Sequence, residues 1–239
     1  LSASFGGQTV LVAGGTGGLG RAVSLAFLAA GADVTVPFRN PAEAAELSAA
    51  AGADAKRLTT RAVDVVDEAA VRALLDETVG RTGRLDALVN AVGAWAGGAP
   101  LWEADPALFD RMLASNLRAG VVLCRAAVPL MLRRGRGAIV NVASRAGVAP
   151  GRGEAAYAAS KAAAVAMIAS LAADLHGTGV RANSVLPSVI DTEANRKAMP
   201  KADFSKWPKP EDIARVILFL CSDDAALVSG AAIPVYGDS

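Results

Sequence analysis

The chain has one histidine, His176, among 239 residues. That scarcity argues against a histidine-centred triad or a histidine-rich metal site, and no metal is expected. It has two cysteines, Cys124 and Cys221, far apart and flanked by apolar residues. The pattern reads as buried free thiols in a reducing cytosol. Neither sign of charge dominates, with 24 Lys and Arg against 23 Asp and Glu, so nothing points to nucleic acid or an anionic membrane surface. No basic segment with an apolar run opens the sequence. The longest apolar stretches, such as 162–173, read as too short and too alanine-rich to span a bilayer. A soluble, cytoplasmic protein with no membrane partner is expected.

What the chain does have is apolar residues, 53% of the total and many of them alanine, which suits close-packed helices. Its length allows a large core within one α/β domain covering 1–239. Apolar runs of strand length fall at 9–13, 34–36, 62–66, 87–90, 138–142, 181–186 and 232–235. Helical stretches separate them at about 21–30, 41–51, 68–81, 106–134, 154–176 and 211–221. Asn40 precedes Pro41 as a cap before a first helical proline. Seven strands alternating with helices predict a doubly wound, Rossmann-type parallel sheet covered on both faces. The polar, proline-bearing segment 191–210 breaks the rhythm after a strand's carboxyl end. A lid over a ligand is expected there.

Gly14, Gly15, Thr16, Gly17, Gly18, Leu19 and Gly20 join the first strand to the first helix. Glycines at that junction let backbone N–H groups approach a pyrophosphate at a helix N-terminus. At the end of the second strand, where an acidic residue would bond the ribose 2′-OH of NAD, stands Phe38 followed by Arg39. An arginine there suits the 2′-phosphate of NADP, so NADP(H) is favoured over NAD(H).

Tyr157 and Lys161 are four residues apart, hence on one helix face, and Ser144 lies thirteen positions upstream. A phenol with an ordinary pKa of roughly 10 is a poor proton shuttle at neutral pH. A cation about 4 Å away contributes on the order of 4 kcal/mol at an effective dielectric near 20, which would draw the phenol towards the working range of a general acid/base.

With both halves in view, the chain resembles the classical short-chain dehydrogenase/reductase family over almost its full length. Ala13-Gly14-x-x-x-Gly18-x-Gly20 is similar to the family's glycine loop, with alanine in place of threonine. Asp64-Val65 looks like its adenine site, and Asn90-Ala91-Val92-Gly93 resembles its Asn-Asn-Ala-Gly strand end. Asn116, Ser144, Tyr157 and Lys161 match the catalytic tetrad. Pro187-Ser188-Val189-Ile190-Asp191-Thr192 resembles the Pro-Gly segment near the nicotinamide, with Ser188 replacing glycine. The resemblance implies cofactor binding by these segments and by Arg39 and Asn40. It implies that Tyr157 donates a proton, that Lys161 binds ribose hydroxyls and lowers the tyrosine pKa, that Ser144 bonds the substrate carbonyl, and that Asn116 bends its helix and holds a relay water. It also implies a small-molecule substrate and a homotetramer or homodimer.

Two stretches resemble the dihydropteridine reductase branch. One is 93–98 with Trp95, and the other runs from Leu186 to Trp207 with Met199. Trp95 and Met199 are therefore expected at the substrate. That branch typically lacks the serine and uses NADH, whereas this chain keeps Ser144, which argues for a carbonyl or alcohol, and Arg39, which suits NADP(H). A pteridine-type reductase is the enzymatic alternative, and a dinucleotide-binding regulatory protein the non-enzymatic one.

Overall fold

The computed structural model describes residues 4–238, so residues 1–3 and 239 of the expected 1–239 range lie outside the described residues. Its strands are β1 (Thr9–Ala13), β2 (Asp33–Phe38), β3 (Leu58–Ala62), β4 (Ala87–Asn90), β5 (Gly137–Val142), β6 (Val180–Pro187) and β7 (Ala232–Val235). They pair entirely in parallel in the order β3-β2-β1-β4-β5-β6-β7. Parallel neighbours need a crossover long enough to hold a helix. The helices are α1 (Gly18–Ala29), α2 (Pro41–Ala51), α3 (Glu68–Thr82), α4 (Pro106–Leu113), α5 (Ala119–Leu132), α6 (Ala155–Asp174), α7 (Glu193–Ala198) and α8 (Pro210–Cys221). This is the doubly wound Rossmann-type fold.

The core lies in two slabs. Val10, Val12, Val89 and Val140 face Val23 and Phe27 of α1 and Ile213 and Ile217 of α8. Leu11, Leu88 and Ile139 face Leu74 of α3, Leu123 of α5 and Ile168 of α6. Alternate residues of β1 therefore feed opposite slabs, which explains why that strand is apolar throughout.

Three expectations need correction. The strand expected at 62–66 lies at Leu58–Ala62. It is an edge strand, partly exposed and polar, so burial wrote no apolar run into it; the apolar stretch that follows leads into α3 and buries Val65. β2 runs through Pro37 to Phe38, because β1 stops pairing with it at Thr35 and the missing proline N–H has no ladder bond to lose on that side. Finally, two helical stretches, 106–132 and 155–174, are long and apolar enough by length and composition to cross a bilayer. In this fold their apolar residues Leu123, Met131 and Ile168 are core. Cys124 and Cys221 are free, and burial pushes both thiols up to about 12.

At the amino end of the sheet, Asp86 gathers three strands. Its carboxylate accepts from Thr9 N at 2.8 Å, from Arg84 at 2.6 Å and from Arg134 at 3.0 Å. Its own carbonyl accepts from Ala138 N at 2.9 Å. Burial alone would raise the Asp86 pKa, but hydrogen bonds from Arg84, the Thr9 amide and Arg134 outweigh it and hold the group below the ordinary carboxylate range. A lowered folded pKa stabilises the protein above the unfolded value, and the contribution disappears as pH falls through the folded one. Asp86→Asn should therefore cost about 2–3 kcal/mol near pH 7, below the range for a fully buried pair because both arginines keep some solvent. In denaturant titrations that deficit should shrink below about pH 4.

Candidate active site

The strand order reverses at β1, which has β2 on one side and β4 on the other. Loops leaving the carboxyl ends on either side diverge there and leave a crevice. A cleft of about 510 Å³ occupies it, lined by the glycine loop, by 37–40 after β2, by 63–66 after β3, by 91–94 after β4 and by Ala114 and Ser115.

The residues of the cleft fit a dinucleotide. α1 starts with Gly17 as its N-cap, which offers no side chain to the first amides, and its first turn carries no acidic residue. A positive, uncapped helix end is thus left for an anion. Gly14 sits at φ +76°, and a Cβ there would lie 2.8 Å from the Ala91 carbonyl carbon. Only glycine lets the loop pass so close to the end of β4. Arg39 and Asn40 are exposed at the far end of the cleft, and among the described residues Arg39 has no ion pair. Asp64 accepts from Val66 N at 3.2 Å, and Val65 is buried beside it. Asn90 donates to Asn141 at 2.8 Å across β4 and β5, fixing the strand end that carries Ala91 and Gly93.

On the other side of Gly93, four side chains from three elements meet. Asn116 lies in a π-helical turn, Ala114–Arg118, between α4 and α5. Its amide accepts from Ala94 N at 2.9 Å and donates to Ala94 O at 3.0 Å and to Ser160 Oγ at 2.9 Å. Lys161 is 5% exposed and donates to Val142 O at 3.1 Å. Its Nζ stands 5.9 Å from the centre of the Tyr157 ring. A Cβ on Gly93 would lie 2.9 Å from both Lys161 Nζ and Asn116 Oδ1, so this glycine admits both side chains. Ser144 follows the end of β5, its Oγ accepting from Ala146 N at 3.2 Å and its hydroxyl close enough to the Tyr157 phenol to act on its pKa.

Burial dominates the electrostatics. It pushes the Tyr157 phenol up, the Ser144 hydrogen bond opposes this, and the Glu154 carboxylate adds to it. That direction is opposite to the one expected from a neighbouring cation alone. Burial also brings Lys161 down to about 8. The phenol therefore stays protonated at neutral pH and is a weaker acid than an ordinary tyrosine, and the lysine is a base close to its titration point.

The segment 191–210 is built largely from its own residues. Asp191 takes both Arg196 nitrogens, at 2.5 and 2.8 Å. Arg196 lies 5.0 Å over the Phe204 ring, and Phe204 packs 4.9 Å from Trp207. Thr192 caps α7 by accepting from Asn195 N at 3.2 Å, and Asn195 donates to Ile190 O at 2.8 Å. A Cβ on Gly18 would lie 2.8 Å from Thr192 Cγ2, so this segment begins on the glycine loop. Ser188, after Pro187, turns its hydroxyl to Tyr236 O at 2.6 Å, which accounts for a side chain where the family pattern has glycine. Trp95 and Met199 are 61% and 38% exposed on loops that border the site.

Three neighbours escaped the sequence reading. Ser160 links Asn116 to the helix of Tyr157, donating to Tyr157 O at 2.7 Å. Glu154 accepts from Gly151 N at 2.9 Å and acts on Tyr157. Glu43 accepts from Thr16 Oγ1 at 2.8 Å. Only the last had a readable signal, the Asn40-x-x-Glu43 spacing of a capping box.

Fold and site together define a dinucleotide-dependent oxidoreductase. The chain belongs to the short chain dehydrogenase family, whose pattern matches residues 8–203. It is 37% identical over 240 residues to D-threitol dehydrogenase of Mycolicibacterium smegmatis, covering 97% of this chain and 92% of that protein. It is 35% identical to meso-2,3-butanediol dehydrogenase of Serratia marcescens, covering 98% and 94%. The structure of ElxO with NADP bound superimposes with a TM-score of 0.90 at 26% identity, covering 96% of this chain and 97% of that one. The protein is accordingly an NAD(P)-dependent enzyme acting on small alcohol or carbonyl substrates.

A lysine pKa lowered from 10.5 to about 8 means that the unfolded chain binds more protons between those values. Stability of the cofactor-free protein should therefore rise as pH increases from about 8 to 10. Lys161→Met should flatten that rise in thermal melts and be more stable than wild type at pH 7, by about 1–3 kcal/mol.

Proposed function

We propose that the chain transfers hydride between NADP(H) and a small carbonyl or alcohol, with Tyr157 as general acid/base. The observation that carries this is the meeting of Ser144, Tyr157, Lys161 and Asn116 beside Gly93, at the edge of a cleft shaped for a dinucleotide. The bound nicotinamide supplies or takes up the hydride. Tyr157 gives its proton to the substrate oxygen in reduction and removes it in oxidation. Ser144, beside the phenol, donates to the same oxygen and stabilises its developing charge. Lys161 holds ribose hydroxyls beside Tyr157, while the Ser144 hydroxyl opposes the burial that raises the Tyr157 pKa. Asn116 fixes Ala94 and the helix of Tyr157, and holds the relay water.

Gly14, Thr16, Gly17, Gly18, Leu19 and Gly20 take the pyrophosphate, Asp64 and Val65 the adenine, and Arg39 with Asn40 the adenosine ribose. Asn90, Ala91, Gly93, Pro187, Ser188, Ile190 and Thr192 enclose the nicotinamide half. Residues 191–210 are the lid of a single domain, with Trp95 and Met199 lining the substrate mouth. Relatives named for D-threitol and meso-2,3-butanediol support a small alcohol. The pteridine alternative rests on the lid motif, yet Asp191, Arg196, Phe204 and Trp207 bind one another, which accounts for the motif without a pterin. Free thiols fit a cytoplasmic setting. Ala159 and Ala166 are exposed on α6, supporting close helix packing in a homotetramer or homodimer; light scattering on eluted protein should give two or four chains, and one chain would refute the assembly.

Tyr157→Phe should lower carbonyl reduction by about 10²–10⁴-fold while NADPH still binds; preserved turnover would remove the proton-donor role. Wild-type alcohol oxidation should rise with pH into the alkaline range, since a raised phenol pKa delays formation of the base. Ser144→Ala should lose about 10²–10³-fold with a carbonyl. Little loss, with quinonoid dihydropterin turned over, would favour the pteridine reading.

A further inference from the structure

We propose that Glu43 selects between cofactors, its carboxylate working against Arg39 so that the cleft accepts NAD(H) alongside NADP(H). The inference rests on the reading of 37–43 as the adenosine ribose corner. Glu43 is the third residue of α2, and its carboxylate reaches across to the glycine loop. One oxygen accepts from Thr16 Oγ1 at 2.8 Å, and the other accepts from Asn40 Nδ2 at 3.1 Å. Thr16, Arg39, Asn40 and Glu43 all line the same cleft.

Helix capping does not account for this placement. In a capping box the acidic residue reaches back to the backbone N–H of the cap. Here Asn40 caps Ala42 N through its own oxygen at 3.0 Å, while Glu43 turns to the Asn40 side chain and to Thr16. The carboxylate is thereby held between the glycine loop and Asn40, in the wall of the cleft beside Arg39. A phosphate monoester carries nearly two negative charges at pH 7. Seated in this corner, it meets the Arg39 guanidinium and the Glu43 carboxylate together. A 2′-hydroxyl meets no such repulsion and donates to a carboxylate readily. One corner thus holds an attractive charge and a repulsive one, and selectivity is their difference.

Glu43→Gln keeps the size of the side chain and an acceptor for Thr16 while removing the charge. Fluorescence titration of the purified protein should show NADPH binding tighter by about three- to tenfold in this variant, with NADH unchanged or weaker. The gap from wild type should narrow in about 0.5 M salt, as an effect of exposed charge must. Thr16→Ala, which cuts the tether but leaves the carboxylate, should not tighten NADPH. The inference is overturned if Glu43→Gln leaves NADPH affinity unchanged, weakens both cofactors alike, or is matched by Thr16→Ala. Arg39→Ala separates the two levels. Loss confined to NADPH upholds the ribose corner whatever Glu43 does, and equal loss of both cofactors sinks the corner and the inference with it.

Discussion

A buried ammonium with one carbonyl for company is the constraint around which this site is arranged. Lys161 has Val142 O as its hydrogen-bond acceptor and little solvent. Its charged form is poorly supported until something polar arrives from the cleft. Gly93 has no side chain because Lys161 Nζ and Asn116 Oδ1 crowd the space a Cβ would take. Asn116 gives its hydrogen bonds to Ala94 and Ser160 rather than to the ammonium. Tyr157 and Ser144 lie beside it, the serine hydroxyl lowering the phenol pKa against burial. The protein alone thus keeps a cation short of partners beside Gly93 at the edge of the cleft, at a cost in stability.

The two ends of the sheet contrast sharply. At the amino end, Asp86 satisfies its carboxylate with two arginines and a backbone amide and ties β1, β4 and β5 together. At the carboxyl end the loops leave α1 without a side-chain cap and Arg39 without an ion pair among the described residues. Polar groups are spent on the scaffold at one end and held open for chemistry at the other. The segment 191–210 follows the same division. Its ion pair and stacked rings hold its own shape, and Met199 stays partly exposed.

Most of the architecture was legible because buried strands must be apolar and helices need caps. β1, β4, β7 and α2 fall where periodicity, Pro41 and Asn40 put them. β3 was misplaced because an exposed edge strand carries no burial signal. The members of the cluster could be named from spacing and family resemblance, but their electrostatic balance could not. The i, i+4 relation of Tyr157 and Lys161 puts both on one face; it does not say that the amine turns to Val142 and sits 5.9 Å from the ring. Nor does sequence separation suggest that Thr16 and Glu43, twenty-seven residues apart, share a hydrogen bond.

The π turn at Ala114–Arg118 sets a limit of another kind. A π turn holds one residue more than the α turn it replaces, so α4 and α5 are out of register by about 100° around their common axis. That offset lets Met112 be buried on one side of the turn while Ala119 and Leu123 enter the core on the other, with Asn116 aimed at Ala94 between them. Removing one residue from the turn would restore a regular α-helix with α4 and α5 facing as they do now, and would take the Asn116 amide away from Ala94 and Ser160. The extra residue thus serves the site rather than the packing: the core would survive its loss, and the clamp on the loop after β4 would not.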